Sequence, residues 1–198
     1  MQIRRMTKDD AEPIAAVLNA AIGSSIAHFG TVPTTADEVL EDWYEAGETY
    51  PWLVASDDSG AFMGFAKASA WKTRKAYKWT TETGIYINAG AQGMGVGKAL
   101  YTKLFELLTL QGYRIVVTGV SLPNDASVAL HESMGMQLVG DLDPAGYKLG
   151  QWIPVRIYQK HLGELSPGTV PGHIRAVSSV WEESSSEQEQ PNHKGMQS

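Results

Sequence analysis

Gln92-Gly93-Met94-Gly95-Val96-Gly97-Lys98 puts three glycines at alternate positions directly before the most regular amphipathic stretch of the chain. From Gly97 to Gln111, Leu100, Leu104, Leu107 and Leu108 recur at helical spacing, and Gly112 follows as a C′ residue. Ahead of the glycines, Trp79 to Asn88 reads as a strand with Ile85 and Ile87 on one face and Glu82, Gly84 and Tyr86 on the other. At such a strand-to-helix junction the unpaired N–H groups of the first helical turn and the helix dipole make an anion site. Glycines let the backbone approach closely and adopt positive φ, so successive N–H groups can converge on one oxygen cluster. A plain turn needs one flexible residue rather than three. Gly93, Met94, Gly95, Val96, Gly97 and Lys98 are therefore read as a phosphate-binding loop.

Strands and helices alternate around this junction. Gln2 to Arg5 reads as a strand, and Thr7 to Asp10 as the cap of a helix carrying Ile14, Val17, Leu18 and Ala21 that ends near Gly23. A second helix starts at Thr34-Thr35 and ends before Gly47. Trp52 to Ser56 and Ala61 to Trp71 form a hairpin around Asp57-Asp58-Ser59-Gly60. Arg114 to Val120 is a buried strand, Ala126 to Met134 a helix stopped by Gly135, and Met136 to Asp141 and Ile153 to Gln159 complete an α/β fold with a mixed sheet. Past Leu162 the chain turns rich in Ser, Glu, Gln and Pro. Residues 1–162 are read as the domain and 163–198 as a disordered tail, with a docking segment around Ile174, Val177, Val180 and Trp181 as the other reading.

The absence of cysteine excludes disulfides, thiolate metal sites and a cysteine nucleophile. A net charge of −6 argues against nucleic-acid binding through counterion release. No apolar run reaches the roughly 18 residues of a membrane span, and no metal site is expected. The chain is expected to be cytoplasmic.

Neither of two common nucleotide loops fits. A Walker loop needs glycine at the place of Gln92 and Ser or Thr at that of Ala99, and a dinucleotide fingerprint needs its third glycine where Lys98 stands. Instead, Gln92-x-x-Gly95-x-Gly97 after Gly84-Ile85-Tyr86-Ile87 resembles the acetyl-CoA pyrophosphate loop of the GCN5-related N-acetyltransferases. Asn124-Asp125-Ala126-Ser127-Val128-Ala129-Leu130-His131-Glu132-Ser133-Met134-Gly135-Met136 is similar to a later stretch of that family, with Met136 where Phe is usual. Trp71-Lys72, Tyr77-Lys78-Trp79-Thr80-Thr81-Glu82, Ala27-His28-Phe29 and Gly146-Tyr147-Lys148-Leu149-Gly150-Gln151-Trp152 resemble its phosphinothricin and methionine sulfoximine acetyltransferase branch. The likeness covers about residues 2–162.

The resemblance implies a largely antiparallel sheet flanked by helices, acetyl-CoA as co-substrate, and acetyl transfer to the amine of a small amino acid or analogue, in the manner of a detoxifying enzyme. Such transfer needs a neutral amine, donors for the developing oxyanion and help for the departing thiolate. Glu82, mid-strand with no partner evident in sequence, is the general base the branch implies; a cross-strand ion pair with Lys67 is the plainer reading. Backbone at Ile85, Tyr86 and Ile87 is implied to hold the pantetheine arm and thioester. Asn124 and Ser133 are candidate cofactor contacts, against helix capping and simple surface exposure. His131 stands where many relatives carry a tyrosine thought to protonate the thiolate, and a structural histidine is the competing reading.

Acceptor choice is assigned to Phe29, Lys72, Arg74, Lys75, Tyr77 and Lys78, a basic cluster suited to an anionic molecule. Lysine replaces the usual arginine at Lys72 and Lys78, exchanging a bidentate fork for a point charge. Two further readings stand beside this one: acetylation of a peptide or protein amine, and a catalytically silent CoA-binding module. Family likeness also implies a homodimer.

Overall fold

The computed structural model describes residues 1–186. Its elements are β1 (Gln2–Arg5), α1 (Ala11–Ser24), α2 (Ala36–Ala46), β2 (Trp52–Ser56), β3 (Phe62–Ala70), β4 (Thr80–Ile87), α3 (Val96–Gln111), β5 (Ile115–Ser121), α4 (Asp125–Ser133), β6 (Gln137–Lys148), β7 (Gln151–His161) and α5 (Val177–Ser186). Local chemistry sets the helix limits. The Thr35 hydroxyl accepts from the Glu38 N–H while the Glu38 carboxylate accepts from the Thr35 N–H, closing a capping box ahead of α2. Left-handed Gly95 and Gly112 bracket α3.

The seven strands form one sheet in the order β1-β2-β3-β4-β5-β7-β6. Every adjacent pair is antiparallel except β4 and β5, whose parallel pairing requires the α3 crossover. Helices cover both faces, so β2 is buried at all five positions rather than at alternate ones. Leu53 and Ala55 face the core built on Leu100, Tyr101, Leu104, Leu107 and Leu108 of α3. Trp52 and Val54 face a second core with Ile14, Leu18, Val39 and Phe65.

β4 and β5 pair only at Thr80 with Ile115, Thr81 with Val116 and Glu82 with Val117. Beyond that point β4 remains on β3 as far as Ile87, and β5 remains on β7 as far as Ser121. The sheet therefore opens into a fork directly after Glu82.

Two sequence expectations need correction. The strand expected over Met136 to Asp141 runs on through Asp143-Pro144 to Lys148, which β6 tolerates as the edge strand with register shifts after Leu138 and Leu142. The tail expected to be disordered from residue 163 is ordered over its described C-terminal part. Val177 and Val180 are buried, and Ile174 and Trp181 pack on the α3 core. The Val177 N–H donates to the Glu48 carbonyl at 2.9 Å and the Ser178 N–H to the Glu48 carboxylate at 2.6 Å. Ser184 bonds Glu106 and Lys103 of α3. The segment is too polar to fold alone, but three apolar side chains at helical spacing suffice against a preformed face. The rest of that expected tail, 187–198, lies outside the described residues.

Ending the chain at Leu162 should therefore destabilise it. Two buried valines contribute about 1.5–3 kcal/mol each, which in a domain of this size lowers the melting temperature by about 10 °C. An unchanged melting curve would show that α5 adds nothing to stability.

Candidate active site

The glycine loop and the fork lie side by side. Gly93 and Gly95 have φ of 75° and 79°, conformations that favour glycine, and a Cβ at either would meet nothing within 4 Å. Gly95 caps α3 without a side-chain hydrogen bond, leaving first-turn N–H groups to an outside acceptor. Gly97 serves another purpose: a Cβ there would fall 2.9 Å from Leu130, so its absence lets α3 and α4 approach. Past Glu82 the β5-facing edge of β4 has no strand partner. An open anion-binding loop beside an unpaired strand edge fits a diphosphate joined to an amide-bearing arm.

The face of β4 carrying Glu82, Gly84 and Tyr86 looks into a cavity of about 370 Å³. Leu18, Val39 and Trp52 give it apolar wall, and His28, Asp42, Lys67 and Ser69 add polar groups. Lys67 lies over the Trp52 ring, 4.3 Å from its centroid, and pairs with Asp42 at 3.5 Å. Glu82 sits across the ladder from Ser69, so its carboxylate is not the ion-pair partner of Lys67. Among the described residues the Glu82 carboxylate makes no hydrogen bond or ion pair. Burial raises its pKa, with the charges of Lys72 and Lys67 opposing the shift. Burial also depresses the Lys67 pKa, against the attraction of Asp42.

The sequence pattern of the acetyltransferase (GNAT) family matches residues 20–136. A phosphinothricin N-acetyltransferase of Streptomyces viridochromogenes is 37% identical over 180 residues, covering 91% of this chain and 96% of that protein. The chain belongs to the GNAT acetyltransferase family. An L-methionine sulfoximine/L-methionine sulfone acetyltransferase of Salmonella typhimurium is 30% identical over 83% of this chain and 96% of its own length. In three dimensions, a GNAT superfamily phosphinothricin acetyltransferase from Sinorhizobium meliloti, crystallised with AcCoA, superposes with a TM-score of 0.82 at 31% identity. That superposition covers 86% of this chain and 92% of the other. The fold is thus the GNAT fold, and the chain is an N-acetyltransferase.

Within this GNAT frame the sequence-derived residues separate. Glu82 and Tyr86 line the cavity, while Ile85 and Ile87 turn to the α3 side as expected. Met94 and Lys98 are exposed, and Val96 is buried in the core. Asn124 caps α4, its side-chain oxygen accepting from the Ser127 N–H at 3.1 Å, and the Ser133 hydroxyl donates to the Leu130 carbonyl at 2.8 Å. Both side chains are engaged by their own helix.

For His131 the contacts favour the structural reading over the acid role. His131 is buried, its Nδ1–H donates to the Ser127 carbonyl at 2.6 Å, and its Nε2 then accepts from the Tyr101 hydroxyl at 2.9 Å. Burial lowers its pKa, outweighing the Ser127 bond. Both ring nitrogens are engaged, with the one proton of the neutral ring held by the Ser127 carbonyl, and these are the surroundings of a structural histidine.

Arg74, Lys75, Tyr77 and Lys78 are exposed on the β3–β4 loop and do not line the cavity; Lys72, also exposed, acts on Glu82 through its charge. Phe29 packs against Gly146. Sequence reading did not find Asp42, Ser69 or Trp52 as site residues, since three separate elements bring them together. The signal for His28 is its place in Ala27-His28-Phe29, one of the stretches that resemble the phosphinothricin branch.

Proposed function

We propose that this protein transfers the acetyl group of acetyl-CoA to the free amine of a small amino acid or amino-acid analogue of the phosphinothricin or methionine sulfoximine kind. The observation that carries this reading is Glu82, unpaired and half-buried in a small cavity of mixed charge at the root of the fork. The names of the relatives supply the acceptor class. Acetyl-CoA supplies the acetyl group as an activated thioester; Gly93 to Lys98 would hold its diphosphate and the free edge of β4 its amide arm. Glu82 takes a proton from the acceptor's ammonium, directly or through one water, and leaves the nitrogen lone pair free. A carboxylate whose proton affinity is raised by burial suits that task. A cavity of about 370 Å³ is of a size for a small amino acid, which supports this acceptor class over a peptide.

The test is thiol release from acetyl-CoA with free amino acids, methionine sulfoximine, phosphinothricin and a peptide amine. Saturable release with an amino acid and none with the peptide is the expected result; the reverse pattern would overturn the acceptor class.

We further infer a homodimer acting in the cytoplasm, where acetyl-CoA is available. Leu138, Leu142, Tyr147, Leu149 and Trp152 are exposed on the β6–β7 edge hairpin, an apolar surface that a second copy would cover. Sedimentation at the mass of one chain would contradict the dimer.

A further inference from the structure

Lys148, the last residue of β6, is only 6% exposed and has no carboxylate partner among the described residues. Its ammonium donates to three backbone carbonyls: Ser25 and His28, both at 2.7 Å, and Ala21 at 3.3 Å. Three donors meet three acceptors, so the group is fully engaged. Ala21 lies in the last turn of α1 and Ser25 follows that helix, so the cation sits where the macrodipole favours it. The same strand holds the loop at a second point, since a Cβ on Gly146 would fall 2.4 Å from the Phe29 ring. The loop between α1 and α2 is thus clamped to β6 at both His28 and Phe29.

His28 is what this clamp presents to the cavity. Its Nδ1 accepts from the Gly30 N–H at 2.9 Å, which in the neutral ring places the proton on Nε2. A Cβ at residue 30 would come within 2.7 Å of Nδ1, so glycine is what lets the ring fold back onto the loop. Nε2 has no hydrogen-bond partner among the described residues, although His28 lines the same cavity as Glu82 and its ring lies 5.7 Å from that of Tyr86. Burial lowers the His28 pKa, and the charges of Lys148 and Lys67 lower it further; Glu82 and Asp42 are the carboxylates lining this cavity. The ring is therefore a neutral donor with an unfilled bond.

We propose that His28 is a specificity-determining residue whose Nε2–H donates to the carboxylate of the amino-acid acceptor, and that Lys148 is the positioning residue that holds it there. This inference rests on the acetyl-transfer reading and adds to it which group recognises the acid end of the acceptor.

The experiment compares an amino-acid acceptor such as methionine sulfone with its carboxamide. His28→Ala should raise the KM for the carboxylate about tenfold to a hundredfold, the range for a lost hydrogen bond to a charged group. The carboxamide, whose neutral oxygen accepts a weaker bond, should lose less than about tenfold, and the acetyl-CoA constants should stay within about twofold. His28→Asn, which keeps an N–H donor, should recover part of the discrimination, and it decides the point if the alanine variant does not fold. Lys148→Met should reproduce the carboxylate defect without touching the acceptor, and should raise the His28 pKa seen by NMR, because a nearby cation is removed. Lys148→Arg should do neither.

An unchanged carboxylate-to-carboxamide ratio in the His28 variants, with the unmodified chain active on both compounds, would overturn the inference and leave acetyl transfer standing. Equal losses for acetyl-CoA and acceptor in Lys148→Met would overturn the positioning role. Failure of the unmodified chain to acetylate any amine would overturn both readings.

Discussion

Glu82→Gln will lower kcat by about 10²- to 10⁴-fold, the range for removal of a general base, and will leave the dissociation constant for coenzyme A unchanged. Glutamine keeps the shape and loses only the ability to take a proton. The melting temperature at neutral pH should stay level or rise. Burial holds the folded-state pKa of Glu82 above its ordinary value, so its ionised form weakens the fold at pH values above the ordinary carboxylate range, and the amide removes that penalty. The same shift fixes the sign of the pH profile. In the unmodified enzyme kcat/KM should fall toward acid with a midpoint above the ordinary 4.5, and in Glu82→Gln that limb should vanish. Lys72→Met should move the limb to higher pH, since Lys72 is the largest influence favouring the charged form. Undiminished turnover in Glu82→Gln would remove this carboxylate from the reaction.

How much of this site was legible depended on how local each signal was. The glycine loop and the amphipathic α3 sit together in sequence, and both were placed by spacing alone. The two faces of β4 follow from alternation: Glu82 and Tyr86 line the cavity, while Ile85 and Ile87 pack on the α3 core. The fork was not readable from the residues themselves, because it results from β4 and β5 each keeping a different outer neighbour. The convergence of Asp42, Trp52, Lys67 and His28 was equally hidden, since α2, β2, β3 and a loop are brought together only by tertiary packing.

Charge misled in one place. Lys72 to Lys78 looked like a binding cluster, yet charged side chains on an exposed loop need no ligand to account for them, and only Lys72 reaches Glu82 electrostatically. Composition misled in another. The Ser- and Glu-rich end outweighed the helical spacing of Val177, Val180 and Trp181, which was the signal for α5. His131 was correctly located on α4 but stands in the core, where Tyr101 and Ser127 complete its hydrogen bonds.

Gly95→Val will weaken coenzyme A binding by at least about tenfold in calorimetry. A β-branched residue at a φ of 79° is strongly disfavoured, so the backbone must leave the conformation that turns the first-turn N–H groups of α3 outward. Nothing lies within 4 Å of a Cβ at this position; the effect is thus conformational and is not a clash with the surrounding protein. Gly60 supplies a matched comparison. It has a φ of 88°, its Cβ would also meet open space, and it lies in the β2–β3 turn away from the fork. Gly60→Val carries the same backbone penalty of about 1–3 kcal/mol and should lower stability while leaving coenzyme A affinity intact. If both variants lost affinity to the same extent, general destabilisation would explain the result. If Gly95→Val bound coenzyme A normally, the main-chain amides after Gly95 would not be the diphosphate's partners. Loss of affinity at Gly95 alone ties binding to the direction of those amides, which is set by two left-handed glycines ahead of a helix whose first-turn N–H groups have no side-chain cap.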